Sequence, residues 1–418
     1  MGHGHHHHHA PNVAVSVATR RVLLAAVAPF LVATLIGLVI LWPSGDGIGD
    51  PGAPGVNQAS ERYSGTVTSV TTEPCDAPGQ EGFECSEVEV RLADGAPDAV
   101  VTVVMAEGRN VQKVEMGDSI IVARSPEAPA GSQYHFVDYE RGTPLLMLAI
   151  LFAVVVVALS RWRGLLALAG TAISLLILVV FVLPSILEGN NPLAVALVGG
   201  SAVMFIALYL AHGVNARTTT AVLGTVTSLM VTGLLALLFV GAANFSGFGS
   251  EEAVYLQISA QQVNLTGLLL GGIIIGTLGV LDDVTVTQAS AVWELRRANP
   301  AYSTLDLYRS ALRIGRDHIA STVNTLVLAY AGASLPLLIV FTLADRPLGT
   351  LLTGEIIAEE IVRTLVGSIG LVASVPITTG LAALVASRDD AVGPEVPTRE
   401  PEAGYQRPRA EAMWRAED

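Results

Sequence analysis

Charged residues are scarce in this chain of 418 residues, at 14%, and aromatic residues are scarcer still, at 6%. Hydrophobic residues make up 51% and occur in blocks of about twenty, the length that crosses roughly 30 Å of hydrocarbon. The sequence has no basic patch that would favour nucleic-acid binding, and no nucleotide loop, zinc signature or nucleophile elbow that would favour an enzyme. The composition therefore predicts a polytopic α-helical membrane protein in the lipid bilayer, with no nucleic-acid partner and no cofactor.

Cysteine is limited to Cys75 and Cys85, which lie in one segment between hydrophobic blocks. If that segment is outside the cell, the two residues are expected to form a disulfide, and a metal site built from two isolated cysteines is less favoured. The net charge of −14 comes mostly from acids after Gly45 and in the C-terminal tail. It indicates solubility and topology rather than a basic partner.

Changes in composition divide the chain into six segments. They are a His-rich cytoplasmic N-terminus (1–21), a transmembrane anchor (22–42), a linker (43–60), an extracytoplasmic β-domain (61–141), a seven-helix membrane domain (143–386) with a cytoplasmic stretch at 296–318, and a disordered cytoplasmic tail (387–418). The N-terminal histidines are of a type that binds transition metals, but nothing nearby fixes a geometry, so a flexible, tag-like segment is favoured.

The hydrophobic blocks predict eight spans in total. After the anchor they are 144–160, 165–183, 192–211, 218–240, 263–297, 319–341 and 361–386. Every short loop that is rich in arginine falls on the same side as Arg20 and Arg21. The positive-inside rule therefore predicts that both termini of this plasma-membrane protein are cytoplasmic.

Alternating β-branched residues predict short strands in the β-domain. The predicted strands are 64–71, 86–92, 99–104 and 119–122, separated by turn signals such as Asp94-Gly95. Strands at that spacing indicate a small all-β barrel of OB-like size. The barrel is expected either to contact a cargo or partner, or to be a spacer without a ligand of its own.

The span at 263–297 contains two adjacent acids, Asp282 and Asp283. An Asp inside a membrane costs roughly 2.5–3.5 kcal/mol on the insertion scale. At helical spacing, one stripe contains Gly272, Gly276, Gly279, Asp283, Thr287, Ser290 and Glu294. Because small residues permit close helix packing, this stripe is expected to face protein, with Asp282 rotated about 100° away from it.

Two carboxylates this close in a low-dielectric setting should not both ionise easily, so the pair is expected to bind a proton as a coupled unit. The alternative is a buried Asp that only hydrogen-bonds a neighbouring helix. The candidate polar partners on the next span include Asn324 and Thr325, and Arg363 is either a counter-ion or a local partner of Glu359 or Glu360. A metal site is not expected, because Asp282, Asp283 and Glu294 do not converge without help from another helix.

Two long motifs resemble the YibE/F family of bacterial membrane proteins. They are GTLGVLDDVTVTQASAVWEL at 276–295 and EIVRTLVGSIG at 360–370. The resemblance extends over residues 64–386 and includes Asp138 to Arg141 and His212-Gly213. It implies a membrane location but no particular activity.

The last five spans also resemble the SecF half of the SecDF export factor, a member of the proton-driven RND superfamily. The segment Gly279-Val-Leu-Asp-Asp-Val-Thr285 matches the Gly-x-x-x-Asn-Asp-Thr-like motif of that family, except that Asp282 replaces the asparagine, and the hairpin 144–183 is additional. The resemblance implies that Asp283 binds the proton. It also implies a homodimer or a complex with another membrane protein, because SecF acts with a SecD half.

We therefore expect a proton-coupled transporter or export helper, not an enzyme, whose substrate the sequence does not identify. Two alternatives remain open from the residues. One is a non-transporting assembly factor whose β-domain binds an envelope partner, and the other is a passive channel.

Overall fold

The computed structural model describes residues 16–45, 61–74, 84–93, 96–107, 113–126, 128–129, 132–343 and 347–388. The predicted His-rich segment lies outside the described residues except for 16–21. Most of the predicted linker, Cys75 and the tail after Arg388 also lie outside them.

Within the described residues the chain forms eleven α-helices and five β-strands. The helices are α1 (Val17–Ile40), α2 (Gly142–Ile177), α3 (Leu183–Leu187), α4 (Pro192–His212), α5 (Ala216–Ala242), α6 (Glu251–Ser259), α7 (Leu265–Ala298), α8 (Thr304–Ala333), α9 (Leu335–Leu343), α10 (Leu348–Thr353) and α11 (Glu355–Ser387). The strands are β1 (Glu61–Pro74), β2 (Glu84–Leu92), β3 (Val100–Glu107), β4 (Ser119–Arg124) and β5 (Tyr134–Tyr139). A π-helical turn, Leu178–Val182, joins α2 to α3.

Six helical runs of the described chain are long and apolar enough to cross a membrane. They are α1, the run from α2 to α3, α4, α5, α7 and α11. Helices α8 and α9 are both long and apolar enough only when taken together, with a bend of 61° between them, and they give a seventh candidate. The prediction of a multi-pass membrane protein is confirmed, and the predicted count of eight spans is reduced to six or seven.

The lower count has two sources. The segment 144–183, predicted as two spans, forms part of one kinked run, Gly142–Leu187, and the predicted span 319–341 falls on the bent pair α8 and α9. The run is kinked at Arg161, whose φ is 53°. Residues eight apart in an unbroken helix are about 12 Å from each other. A Cβ on Gly164 would lie only 2.5 Å from the carbonyl oxygen of Val156. The chain therefore turns sharply at the predicted boundary, and the turn needs a glycine.

The β-domain is one antiparallel sheet of strand order β3-β2-β1-β4-β5. The sheet curls into a half-barrel around a buried core that includes Val88, Val90, Val103 and Ile120. Along β2, buried valines alternate with exposed glutamates, as expected for a strand with one wet face. The predicted small β-domain is confirmed, but as a half-barrel rather than a closed OB-like barrel. Strand β5 was not predicted, because its sequence YHFVDY contains only one β-branched residue.

Cys85 lies on β2 in register with Glu73 of β1. It is disulfide-bonded. Pro74 of β1, the last described residue before Cys75, pairs with Glu84.

The membrane domain is centred on the contact of α5, α7 and α11. Gly224 on α5 packs directly against the side chain of Thr378 on α11, and Gly370 on α11 packs directly against Thr232 on α5. Helices in lipid associate through close packing, which small residues permit. These two reciprocal glycine–threonine contacts therefore set the separation of α5 and α11.

We predict that Gly224→Ala and Gly370→Ala each lower the free energy of unfolding by about 1–3 kcal/mol, because the added methyl overlaps a threonine in a packed interface. The matched control is Gly279→Ala, since nothing lies within 4 Å of a Cβ at that position. The control should be neutral or slightly more stable, because alanine is the better helix former. Thermal unfolding of the purified protein in detergent measures all three. Equal stability of the three variants would contradict the packing described.

Candidate functional site

Helix α7 carries the acid pair and is fixed at its start by two contacts. The side chain of Asn264 caps the helix by accepting a hydrogen bond from the Gly267 nitrogen at 2.6 Å. A Cβ on Gly271 would lie 3.1 Å from the carbonyl oxygen of Pro192, at the beginning of α4. The close approach of α4 therefore restricts the rotation of α7 and determines which helices Asp282 and Asp283 meet.

A pocket of about 540 Å³ lies between α2, α4 and α7. Asp282 and Asp283 both line it, together with Thr171 and Ser174 of α2 and His212 at the end of α4. Most of the other lining residues are small or apolar. The volume falls within the range of roughly 300–1,000 Å³ typical of small-molecule sites. The two carboxyl groups thus share a cavity that is large enough for a ligand.

Asp282 is the more buried member of the pair. The Thr225 hydroxyl of α5 lies close to its carboxyl group. The Oδ1 atom of Asp282 is buried and has no hydrogen-bond partner among the described residues. Thr225 also meets Thr285 of α7, with the two hydroxyl oxygens 2.7 Å apart. Asp282 therefore connects the pocket to a hydroxyl pair between α5 and α7.

Asp283 is exposed in the single chain, and the expectation that its stripe faces protein stays a prediction. The stripe members Gly272, Gly276, Gly279, Asp283, Thr287 and Glu294 are exposed, and Ser290 is half-buried. The packed face of α7 is the opposite one, and it includes Ile274, Leu281, Thr285 and Gln288. Helical periodicity defines a face but does not say which side neighbouring helices cover. The close-packing glycines between α5 and α11 lie outside α7 altogether.

Of the predicted polar partners, Thr287 lines the pocket with the acid pair, whereas Asn324 and Thr325 do not. Asn324 and Thr325 are exposed on α8, and Thr325 donates a hydrogen bond to the Ser321 carbonyl oxygen at 3.0 Å. Arg363 forms an ion pair with Glu360 on its own helix, with an N–O distance of 3.3 Å. Arg363 is thus a local partner of Glu360, which was one of its two expected roles.

Glu294, also predicted as a polar partner, forms an ion pair with Arg297 at 3.1 Å. None of the ion pairs found within the described residues involves Asp282 or Asp283. In the same part of the chain, no group of three or more His, Cys, Asp or Glu residues could hold a metal ion.

Sequence analysis missed a set of fully buried polar side chains where α5, α7 and α11 meet. Ser228, Gln288 and Thr378 are 0% exposed, and each has a side-chain atom without a hydrogen-bond partner among the described residues. Gln288 is held at its other end by Thr379, whose hydroxyl donates to Oε1 at 3.0 Å. Each unpaired atom costs about 1–3 kcal/mol. The signal that could have found this set is the spacing of Ser228 three residues after Thr225 on α5, which places both on one face.

We predict that a cysteine at Thr287, in a variant that retains the native cysteines, reacts with a water-soluble methanethiosulfonate reagent. Thr287 is exposed and lines the pocket. A cysteine at Thr285, two residues earlier and 0% exposed, should be protected. Mass spectrometry of labelled membranes measures both. Equal labelling at the two positions would show that the pocket is closed to water or that α7 is rotated differently.

Comparison with known proteins supports the resemblance noted from the motifs. Residues 148–388 match the profile of the YibE/F-like protein family, which is more than half of the chain and includes the pocket and the acid pair. The match begins after the β-domain. Searches of curated proteins and of solved structures found no match. By the extent of the profile match, the chain belongs to the YibE/F-like protein family.

Proposed function

We propose that this protein is a proton-coupled membrane transporter or export helper, and that Asp282 and Asp283 bind the proton. The observation that carries the proposal is that both carboxyl groups line one pocket of about 540 Å³ in a helix long enough to span the membrane. Adjacent acids are costly in such a helix, and intramembrane acids commonly mark ion pathways.

The surroundings of the pair favour a proton over a structural role. A carboxylate in a low-dielectric site needs a counter-charge, a set of hydrogen-bond donors or a proton. No described side chain forms an ion pair with either acid, and Oδ1 of Asp282 has no donor. A purely structural Asp would instead be expected to have its oxygens satisfied by the neighbouring helix.

The geometry gives the two acids different roles in this proposal. Asp283 is exposed at the pocket and exchanges protons with water there, while Asp282 faces α5 through Thr225 and responds to the packing of that helix. The segment from Gly279 to Thr285 resembles the SecF motif, and this resemblance supports the assignment of Asp283 as a proton-binding residue. We further propose that the protein acts with a second copy or with another membrane protein, and that the β-domain, outside the cell, contacts cargo. In this arrangement both termini are cytoplasmic and the membrane is the bacterial plasma membrane.

We predict that Asp283→Asn and Asp282→Asn each reduce proton flux into proteoliposomes by a factor on the order of a hundred, since positioned proton-transfer groups contribute about 10²–10⁴. Asparagine keeps the shape but cannot carry the proton. The matched control is Glu294→Gln, on the same stripe of α7 but outside the pocket lining. Flux should be unchanged in the control. The readout is a pH-sensitive dye inside the vesicles.

Wild-type proteoliposomes that take up protons no faster than empty ones would contradict the proposal. So would unchanged flux in both asparagine variants.

A further inference from the structure

The pocket owes its room to small residues on three helices. Gly170 of α2 faces Ala207 of α4, where a Cβ on the glycine would lie 3.6 Å from the alanine Cα. A Cβ on Gly200 of α4 would meet only Leu278, at 3.4 Å, and nothing lies within 4 Å of a Cβ on Gly279. All five residues line the pocket. The space is therefore bounded by short side chains and is not filled by the protein.

The walls of this space are apolar on most sides and acidic on one. Apolar residues such as Leu178, Val203 and Ile275 face the cavity, whereas Asp282 and Asp283 supply its acidic groups. His212 is the other titratable residue in the lining. An apolar cavity with a small number of placed polar groups is typical of ligand sites, and here the polar groups favour positive charge.

We propose that the pocket binds a lipophilic organic cation, with the apolar body between α2 and α4 and the cationic group beside Asp282 and Asp283. This inference rests on the proposed function, because the cation and the proton would use the same two carboxyl groups. Binding of one then displaces the other, and the exchange couples proton movement to movement of the cation. The substrate class follows from the shape and charge of the pocket.

Two other ligand classes fit the pocket less well. A divalent metal needs several oxygen ligands, and no described group of three or more acids, histidines or cysteines converges. An anionic lipophile would place its charge next to two carboxyl groups, where like charges disfavour it. A cation with an apolar body satisfies both the walls and the acids.

Isothermal titration with two ions of nearly the same shape tests the proposal on the purified full-length chain in detergent. Tetraphenylphosphonium is cationic and tetraphenylborate is anionic. We expect saturable binding of the first only, weakened on the order of tenfold or more by Asp283→Asn. Equal binding of both ions, or cation binding that Asp283→Asn leaves unchanged, would overturn the proposal.

A pair of glycine variants locates the site. Gly279→Leu should fill the pocket and abolish cation binding without touching a charge, because Gly279 lines the cavity and has open space around it. Gly272→Leu is the matched control. Gly272 lies on the same exposed stripe and nothing lies within 4 Å of a Cβ at this position, but the residue does not line the pocket. Equal loss in the two variants would place the cation elsewhere and overturn the assignment.

Binding and flux separate this proposal from the one on which it rests. If proton flux depends on Asp283 but the cation does not bind, the proton role stands and the substrate class is wrong. If the cation binds at Asp283 but a gradient of the cation drives no proton movement, the pocket is a cation site and the proton coupling is wrong.

Discussion

Placing a carboxyl group in a medium that cannot solvate it is the physical constraint on which the membrane domain depends. Helix α7 has two such groups in succession, about three turns before Glu294. Because adjacent helical residues point about 100° apart, no single neighbour can satisfy both. The two carboxyl groups therefore have different surroundings. Asp282 lies close to Thr225 of α5, and Asp283 opens into a pocket lined by glycines, alanines and larger apolar side chains.

The packing of α5, α7 and α11 determines where each acid lies. Glycines opposite threonines bring α5 and α11 together, and the apolar face of α7 with Leu281 is buried in the same region. Burial of that face leaves the stripe with Asp283 uncovered. The pocket then exists because α2 and α4 meet α7 through glycine and alanine, which leave volume unfilled. Close contact on one side of α7 and open space on the other are thus parts of one arrangement.

Sequence reasoning succeeded where a local signal was sufficient. The acid-bearing helix was expected at 263–297 and is Leu265–Ala298, and the turn expected between 160 and 165 is the kink at Arg161. It was limited where the answer depends on neighbours. Small residues at every third or fourth position of α7 indicated a packed face, but the side that is covered within the single chain is decided by α5 and α11. The buried Gln288 was missed because its burial depends on contacts distant in sequence, and strand β5 was missed because its sequence contains only one β-branched residue.

The central claim is that the acid pair binds an exchangeable proton within the membrane domain. Infrared difference spectroscopy of the protein in lipid, recorded between acidic and alkaline pH, measures this directly through the carbonyl stretch of a protonated carboxylic acid. The account predicts a band that disappears on raising the pH, that is altered in Asp283→Asn and in Asp282→Asn, and that is lost in the double variant. A spectrum in which the double variant keeps every protonated-carboxyl band of the wild type would contradict it.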